Sequence, residues 1–391
     1  MIPFHKPDIG PGDIEAVTRV LNSRWLTTGS EASAFEAEFK EIVGAQDALA
    51  VNSATTAALL LLQAFGIGPG DEVVVPAWTF SGPAMMAHML GAKVVLADVD
   101  PVSLMLTPET LEPCMTSRTK LVMPTHFAGN VADIAELSDY IGHYDGAIKI
   151  IEDAAHAFCS EDYQGNIVGS CNFSDAAFFS FYATKTVTSA EGGMITTNDS
   201  KIAGKLRKLR SNGMAQDSFS RYDSTKKAGW QYDIATPGWK ANMPDLLAAL
   251  GREQLTRTYS NQLARMVIAN LYTGSFSGME GIGTPIMQER GAYHLYPIRI
   301  KGKTSNGVSR GMFIEGMRMR GVGCSVHFIP LHHHSFWAKT AAFEELPHCD
   351  KASKEVVSLP IWPSMTREEV AYVINNVVEE LANMKEDLTC L

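Results

Sequence analysis

The 391-residue sequence predicts an α/β protein with a mostly parallel, buried central sheet. Short β-branched runs alternate with helix-like segments from about residue 35 to 200. Strands that are separated by helices need crossover connections, and such connections produce parallel sheets covered on both faces. The length exceeds what one hydrophobic core usually supports, which indicates a large domain followed by a smaller one.

The alternating region contains seven predicted strands and the helices between them. The strands are "DALAVNS", "GDEVVVPAW", "KVVLADVD", "KLVMPTHFAG", "IKIIEDAAH", "AAFFSF" and "GGMITT". The helices are "FEAEFKEIVG", "ATTAALLLLQAFG", "SGPAMMAHMLGA" and "IAELSDYIGHY".

The pattern changes after "WKANMPDLLAALGREQL". One longer helical region is predicted from Asp245 to about Tyr272, followed by the strands "YPIRI" and "GVGCSVHF" and the helix "REEVAYVINNVVEELANM". We therefore predict a large domain over residues 1–250, with its N-terminal segment, and a smaller C-terminal α/β domain over residues 251–391.

Charge, hydrophobic runs and cysteine spacing argue against several classes of function. A net charge of -10 disfavours nucleic acid as a partner, because binding to phosphates needs clustered Lys and Arg. The longest aliphatic run, Ala57 to Leu62, is too short to cross a membrane, and the N-terminus resembles no signal peptide. The six cysteines form no C-x-x-C pair, which disfavours zinc, an iron–sulfur cluster or disulfides and favours a reduced, cytoplasmic setting.

Three strand ends carry chemically distinctive residues, and ligands of open parallel sheets bind beyond such ends. In "VNSATTAALL" a strand enters a hydroxyl-rich turn and then a helix, which suits a phosphate, although Ser and Thr are also ordinary N-caps. The strand "IIEDAAHAF" ends in Glu152 and Asp153, of which one is expected to meet a cation, with His156 nearby. The alternative there is an N-cap with a satisfied histidine. The third end is "FFSFYATKTVTSAEGG", with Ser180 and Lys185.

Together these three ends suggest pyridoxal 5'-phosphate (PLP). A lysine can form a Schiff base with the cofactor, an aspartate can pair with the pyridinium nitrogen, and a helix N-terminus can bind the phosphate. A lysine that is partly desolvated can also lose its proton, as imine exchange requires.

The order and spacing of seven motifs resemble the DegT/DnrJ/EryC1/StrS family of PLP-dependent sugar aminotransferases, over nearly the whole chain. The motifs are "RWLTTG", "GIGPGDEVVVPAWTFSG", "IIEDAAHAF", "FSFYATKTVTSAEGGMITT", "GWKANMPDLLAALGREQL", "HFIPLHHH" and "SLPIWPSMT". The resemblance implies PLP fold type I, the architecture of aspartate aminotransferase.

The resemblance also implies roles for three residues at the reacting end of the cofactor. Lys185 would form the Schiff base and then carry the proton between the substrate Cα and the cofactor C4'. Asp153, 32 positions upstream, would pair with the pyridine nitrogen. His156 would lie near the phenolic oxygen.

Further residues would hold the cofactor in place. Phe80 in "TFSG" occupies the family's ring-stacking position, and Ala54, Thr55 and Ser180 would contact the phosphate. Lys240 stands where many relatives have Asn and would reach the cofactor phosphate of the neighbouring subunit, which implies a homodimer with shared active sites. Asn242 stands where Arg is common, so the substrate contacts near it differ from the usual pattern.

Other interpretations of single motifs remain open. Lys185 could be a surface lysine, and Glu191 before the Gly192-Gly193 pair could be catalytic or structural. His332, His333 and His334, with His327 upstream, could bind a metal, but consecutive histidines on regular structure cannot all face one ion, and we expect none here.

The predicted function is transfer of an amino group from L-glutamate or glutamine to a keto group of a nucleotide-linked deoxysugar, in amino-sugar or polysaccharide biosynthesis. PLP would be the cofactor and pyridoxamine 5'-phosphate its intermediate form. Three alternatives remain: a cyclitol or other keto substrate, dehydration of a sugar, and a PLP-binding regulator without turnover. Lys185 and the scattered cysteines count against dehydration, because dehydratases of this type replace that lysine with histidine and some carry an iron–sulfur cluster.

Overall fold

The structure, a computed structural model, describes residues 1–144, 147–214, 232–301 and 308–389, without the side chains of residues 308–309 and 385–389. The α-helices are α1 (Pro11–Ser23), α2 (Ser30–Val43), α3 (Ala54–Ala64), α4 (Ser81–Met89), α5 (Pro108–Leu111), α6 (Ile134–Ile141), α7 (Ser200–Arg210), α8 (Asp245–Leu255), α9 (Thr258–Phe276), α10 (Val308–Met319), α11 (Trp337–Thr340), α12 (Pro347–Glu355) and α13 (Arg367–Thr389). The strands are β1 (Asp47–Val51), β2 (Glu72–Pro76), β3 (Lys93–Ala97), β4 (Thr119–Val122), β5 (Lys149–Asp153), β6 (Ala176–Ser180), β7 (Gly193–Thr197), β8 (Ile282–Gly283), β9 (Tyr296–Ile300) and β10 (Val356–Leu359).

The central sheet has seven strands in the order β1-β7-β6-β5-β4-β2-β3. Strands β2 to β6 pair in parallel, and β7 alone runs against its two neighbours, β1 and β6. All seven strands match the predicted segments, so the α/β class and the mostly parallel sheet are confirmed. The parallel arrangement brings the carboxyl ends of β5 and β6 to the same edge of the sheet.

A second, antiparallel sheet contains β10, β9 and β8 in that order. Around it lies a separate apolar core with Tyr272, Tyr296, Phe313 and Val373 fully buried. Ile2 from the N-terminal segment packs into the same core. A boundary near residue 250 agrees with this division but remains a prediction.

The predicted strand "GVGCSVHF" does not form. Val322 makes one isolated bridge to Ile2, and Ser325 makes another to Ser358. The backbone N–H of Gly323 donates to the Ile2 carbonyl at 2.8 Å, while that of Ser325 donates to the Ser358 carbonyl at 3.1 Å. Since the segment changes its pairing partner within three residues, no continuous ladder develops.

The predicted single helical region from Asp245 is two helices, α8 and α9. The break falls at Thr256 and Arg257, where the Arg257 backbone leaves helical geometry with φ -108° and ψ 6°. The Arg257 guanidinium pairs with the buried carboxylate of Asp13 in α1 at 2.6 Å, so a tertiary contact fixes this turn. Among the described residues, no helix is both long and apolar enough to cross a membrane.

Candidate active site

A cavity of about 680 Å³ lies at the edge of the central sheet where β5 and β6 end and α3 begins. Seven of the eight predicted cofactor contacts line it: Ala54, Thr55, Phe80, Asp153, His156, Ser180 and Lys185. We call the strand ends and the start of α3 the cavity floor, which comprises Ala54, Thr55, Asp153, Ser180 and Lys185. His294, His334 and residues 326–329 form the cavity wall.

Asp153 is the last residue of β5 and its side chain is buried. Burial raises the pKa of this carboxyl to about 6, against the opposing effects of the Ala155 N–H and the Lys185 charge. The Ala155 N–H donates to Oδ1 at 3.1 Å. The Asp153 backbone pairs with Phe178 of β6 and forms an isolated bridge to Thr125, so the carboxyl is held at the floor. With a pKa of about 6, it is mostly charged at pH 7.

Lys185 lies in the connection between β6 and β7. The connection is closed by hydrogen bonds from the Lys185 N–H to the Tyr182 carbonyl at 2.9 Å and from the Ser189 N–H to the Phe181 carbonyl at 3.0 Å. Burial lowers the pKa of Lys185 to about 8, although the Asp153 charge opposes this shift. The ammonium is therefore neither a freely solvated surface charge nor a fixed ion, but a group that can release its proton near neutral pH.

The aromatic residues before Lys185 differ in solvent exposure. Phe178, Phe179 and Phe181 are buried in the core, whereas the Tyr182 side chain is 48% exposed. The run thus anchors the end of β6 and places the lysine where the chain leaves the core. This packing explains why one amine follows so many aromatic residues.

The start of α3 has an ordinary N-cap and also a first turn that could bind a phosphate. Ser53 is the N-cap, and its Oγ accepts a hydrogen bond from the Thr56 N–H at 3.1 Å. Ala54 and Thr55 line the cavity in the first turn, where helix N–H groups have no intrahelical acceptor. A Cβ at Gly193 would lie 2.8 Å from the Ala54 nitrogen, so glycine permits β7 to approach this turn.

Phe80 immediately precedes α4 and is 62% exposed, with its ring beside the cavity. A Cβ at Gly82 would come within 2.7 Å of Thr55 Oγ and 3.2 Å of the Phe80 ring. The glycine therefore lets this ring and the start of α3 lie side by side. An open aromatic face next to free N–H groups suits a planar ring that carries a phosphate.

Two histidines meet where the floor joins the wall. The rings of His156 and His294 are 4.5 Å apart between centroids, both are buried, and neither Nδ1 has a hydrogen-bond partner in the described chain. Burial, and then nearby positive groups, hold the pKa of each imidazole well below its ordinary value. Both rings are neutral at pH 7, with nitrogens available to a ligand in the cavity.

Glu152 does not line the cavity, although it precedes Asp153. It accepts a hydrogen bond at 2.9 Å from His126 Nε2, because the Ala132 N–H donates to His126 Nδ1 and fixes the tautomer. Ser174 also donates to Glu152. Of the two predicted carboxylates, Asp153 is therefore the one that faces the lysine.

Lys240 is exposed and does not line the cavity of its own chain. Its carbonyl accepts from Asn52 Nδ2 at 3.4 Å, just before the turn that begins α3. Asn242 contacts Thr28 instead of the cavity. The predicted role of Lys240 toward a neighbouring subunit remains a prediction.

The sequence interpretation missed most of the cavity wall. His294 lies two residues before the first residue of the recognised strand "YPIRI", and this position was the one available signal for it. His327 and His334 were considered only as metal ligands, yet they line the cavity, whereas His332 and His333 contact Asp350.

Taken together, the described residues fit PLP. The floor offers an amine of lowered pKa and a buried carboxylate, α3 offers N–H groups for a phosphate, and Phe80 offers an aromatic face. Such a set can hold the cofactor and move protons beside it.

Comparisons with known proteins agree with this site. A model of the DegT/DnrJ/EryC1/StrS aminotransferase family matches residues 7–378. The chain is 40% identical over 381 residues to the spore coat polysaccharide biosynthesis protein SpsC of Bacillus subtilis (strain 168), with 96% of each chain covered.

Solved structures of similar proteins cover almost the whole chain. The aminotransferase TlmJ from Streptoalloteichus hindustanus has a TM-score of 0.89 at 28% identity, covering 98% of this chain and 100% of its own. The putative sugar aminotransferase Spr1654 from Streptococcus pneumoniae in its PLP-form has a TM-score of 0.87 at 29% identity, covering 97% and 98%.

Proposed function

Because this chain belongs to the DegT/DnrJ/EryC1/StrS aminotransferase family and is a PLP-dependent sugar aminotransferase, we propose that its acceptor is the keto group of a nucleotide-linked deoxysugar and its amino donor is L-glutamate or glutamine. The aminotransferase chemistry that this proposal requires rests on one observation, the joint placement of Lys185 and Asp153 on one cavity floor, each with a pKa moved toward neutrality.

The roles of the floor residues follow from their charges and positions. When bound, PLP supplies a carbonyl for the amino group and a ring that accepts electrons. Asp153 would hold a proton on the pyridine nitrogen, since a buried carboxylate with pKa about 6 stabilises a cation beside it. Lys185, with a pKa of about 8, would give and accept the proton at the substrate carbon.

The remainder of the cavity has hydrogen-bonding groups that would suit a sugar. Thr79 and Thr125 lie within 2.9 Å of each other between their hydroxyls, and both line it. With the neutral His156 and His294, they provide hydrogen-bond partners for sugar hydroxyls without adding charge. The polysaccharide role in the name of SpsC and the sugar aminotransferase role of Spr1654 support this substrate class.

A second copy of the chain would complete the site. Among the described residues that line the cavity, Lys185 is the one Lys or Arg. A cofactor phosphate, a donor carboxylate and a nucleotide diphosphate all favour further cations. We propose that Lys240 of a second subunit supplies one of them, because it is exposed beside the turn that begins α3.

The substrate proposal is tested by supplying the donor and acceptor in separate steps. PLP-loaded protein is treated with L-glutamate or L-glutamine, freed of the donor, and then given nucleotide-linked 3-keto or 4-keto deoxysugars or a keto-cyclitol. We expect one nucleotide-linked sugar to become an amine, detected by mass spectrometry. Amination of the cyclitol alone would contradict the proposed substrate class but not the aminotransferase activity.

The shared site is tested by mixing subunits. We expect Lys185→Ala and Lys240→Ala proteins to be impaired alone and to regain activity after mixing, because some active sites then contain both lysines. Mixing Lys185→Ala with Asp153→Asn is the matched control, since those two residues line the cavity of the same chain. Full activity of the Lys240→Ala protein by itself would contradict the role of Lys240.

A further inference from the structure

We propose that His332, His333 and Asp350 form a binding site for a divalent transition-metal ion of the zinc class, outside the cavity and directly behind its wall. Nε2 of His332 lies 2.8 Å from Asp350 Oδ1, and Nε2 of His333 lies 2.7 Å from the same oxygen. The three ligand atoms all lie within 4.8 Å of one another.

The local backbone explains how neighbouring histidines reach one point. Leu331–His333 form a single 3₁₀ turn. The two imidazole rings are 4.4 Å apart and inclined by 66°. The three consecutive histidines do not all converge, because His334 lines the cavity, but His332 and His333 both reach Asp350.

Backbone hydrogen bonds fix the two segments that carry the three side chains. The turn is fixed by the Leu331 N–H, which donates to the Ala77 carbonyl at 2.8 Å. Asp350 lies in α12, whose first turn is fixed by hydrogen bonds from the His348 and Cys349 N–H groups to the Asp98 carboxylate, each at 2.9 Å. The ligands are thus carried by two separately fixed segments.

The donor set selects the class of ion. Two imidazole nitrogens and one carboxylate oxygen suit zinc and similar ions, while magnesium and calcium prefer oxygen ligands alone. Zinc lies about 2.0–2.1 Å from histidine nitrogen and about 2.0–2.2 Å from carboxylate oxygen, so the present N···O distances must widen by roughly half an ångström. The side chains of His333 and Asp350 are 38% and 48% exposed and have room for that movement.

The surroundings leave a position for a fourth ligand. Glu344 and Glu345 line the same surface depression as His332 and Asp350. Either carboxylate or a water could complete a tetrahedral set. The depression carries negative charge, which favours a cation over an anion there.

An ion at this place would stabilise the cavity wall. His334 follows the turn directly and lines the cavity, and residues 326–329 precede it. Binding would link this stretch to α12 and raise the free energy of unfolding according to the ion concentration and affinity. The site is independent of the proposed substrate, so failure of either proposal leaves the other intact.

The test is calorimetric titration of chelator-treated, PLP-loaded protein with Zn²⁺, and separately with Mg²⁺. We expect one Zn²⁺ per chain and no comparable binding of Mg²⁺. His333→Gln and Asp350→Asn should weaken Zn²⁺ binding by at least about tenfold. His143→Gln is the matched control, because His143 is exposed and lies in another part of the fold.

A second measurement separates ligand loss from unfolding. Thermal unfolding of the same proteins with and without Zn²⁺ should show an increase in Tm that is present in the His143→Gln protein and lost in the His333→Gln protein. Equal Zn²⁺ binding in all variants, no saturable binding, or equal binding of Mg²⁺ would each overturn the proposal. In those cases Asp350 only accepts hydrogen bonds from the two histidines.

Discussion

The floor and the wall of the cavity differ in charge and in the kind of backbone that carries them. The floor holds Asp153 at the end of β5 and Lys185 in the connection that follows β6, each with a strongly shifted pKa. The wall holds His294, His327 and His334 on segments outside any strand, with burial lowering the pKa of His327 to about 4. The floor therefore holds two groups whose pKa values lie near neutrality, while His294 and His327 on the wall offer neutral hydrogen-bonding groups.

The difference in charge indicates separate tasks for the cavity floor and the cavity wall. Proton transfer needs groups that titrate near neutral pH, and the floor supplies them. Selection of a sugar needs hydrogen-bond donors and acceptors at fixed positions, which neutral imidazoles supply without binding every anion. Substitutions on the floor should therefore abolish the chemistry, and substitutions on the wall should alter which substrate is accepted.

The largest effect is expected from Lys185→Ala. Without the amine, no group remains on the floor to bind the cofactor covalently or move the substrate proton, so transamination should fall by at least about a thousandfold. Steady-state rates and the absorption band of the bound cofactor measure the loss. Lys201→Ala is the control, because Lys201 is an exposed lysine of α7. Retention of full activity by the Lys185→Ala protein would contradict the role proposed for Lys185 at the cavity floor.

The lowered pKa of Lys185 predicts unusual reactivity in cofactor-free protein. A lysine with a pKa of about 8 instead of 10.5 is neutral about 300 times more often at pH 7, and its neutral fraction reaches one half at about pH 8. Reductive methylation followed by peptide mass spectrometry, at a series of pH values, should show Lys185 reacting at lower pH than Lys201. Identical pH profiles for the two lysines would contradict the burial argument.

Replacement of Asp153 by Asn should have the next largest effect. The amide is nearly the same size but cannot carry the negative charge that stabilises a protonated ring nitrogen, so kcat should decrease by about 100-fold. Cofactor binding should weaken less than kcat, because the phosphate and ring contacts remain. The matched variant is Glu152→Gln, whose side chain lies outside the cavity in a hydrogen bond with His126. An equal decrease of kcat in both variants would indicate that the substitutions damage the structure, and not that the loss of the Asp153 charge slows the reaction.

A smaller effect is expected from His294→Phe on the wall. Phe keeps an aromatic ring against His156 but removes the unpartnered nitrogen, so KM for the sugar should rise by about tenfold with kcat nearly unchanged. The pH dependence of the cofactor absorption band, recorded without substrate, gives an independent reading of the contact with His156. A change in kcat alone would mean that the wall takes part in the chemistry.

The same two regions show how far the sequence could predict the molecule. Asp153 and Lys185 follow apolar strands that are recognisable from their β-branched residues, so their common location followed from the geometry of a parallel sheet. His294 and residues 326–329 lie on irregular backbone, and they reach the cavity through long-range contacts such as the one between His156 and His294. Long-range contacts also prevent the predicted strand "GVGCSVHF", because Val322 pairs with Ile2 while Ser325 pairs with Ser358.

The histidine motif "HFIPLHHH" shows a further limit of sequence reasoning. Spacing alone grouped His327 with His332, His333 and His334, but the structure divides them between the cavity wall and the Asp350 cluster. The division depends on the 3₁₀ turn Leu331–His333 and on the side-chain directions that it sets. Neither is encoded in a short pattern of residue types.

The main proposal is that the floor holds PLP, and that Lys185 would bind the cofactor and move the proton while an amino group is transferred to it. It is tested most directly by absorption spectra of PLP-loaded protein before and after addition of L-glutamate, beside the Lys185→Ala protein. We predict a visible band in the wild-type protein that disappears with glutamate and is absent or displaced in the variant. A wild-type protein that shows no band when supplied with PLP, or a variant with an unchanged band and response to glutamate, would contradict it.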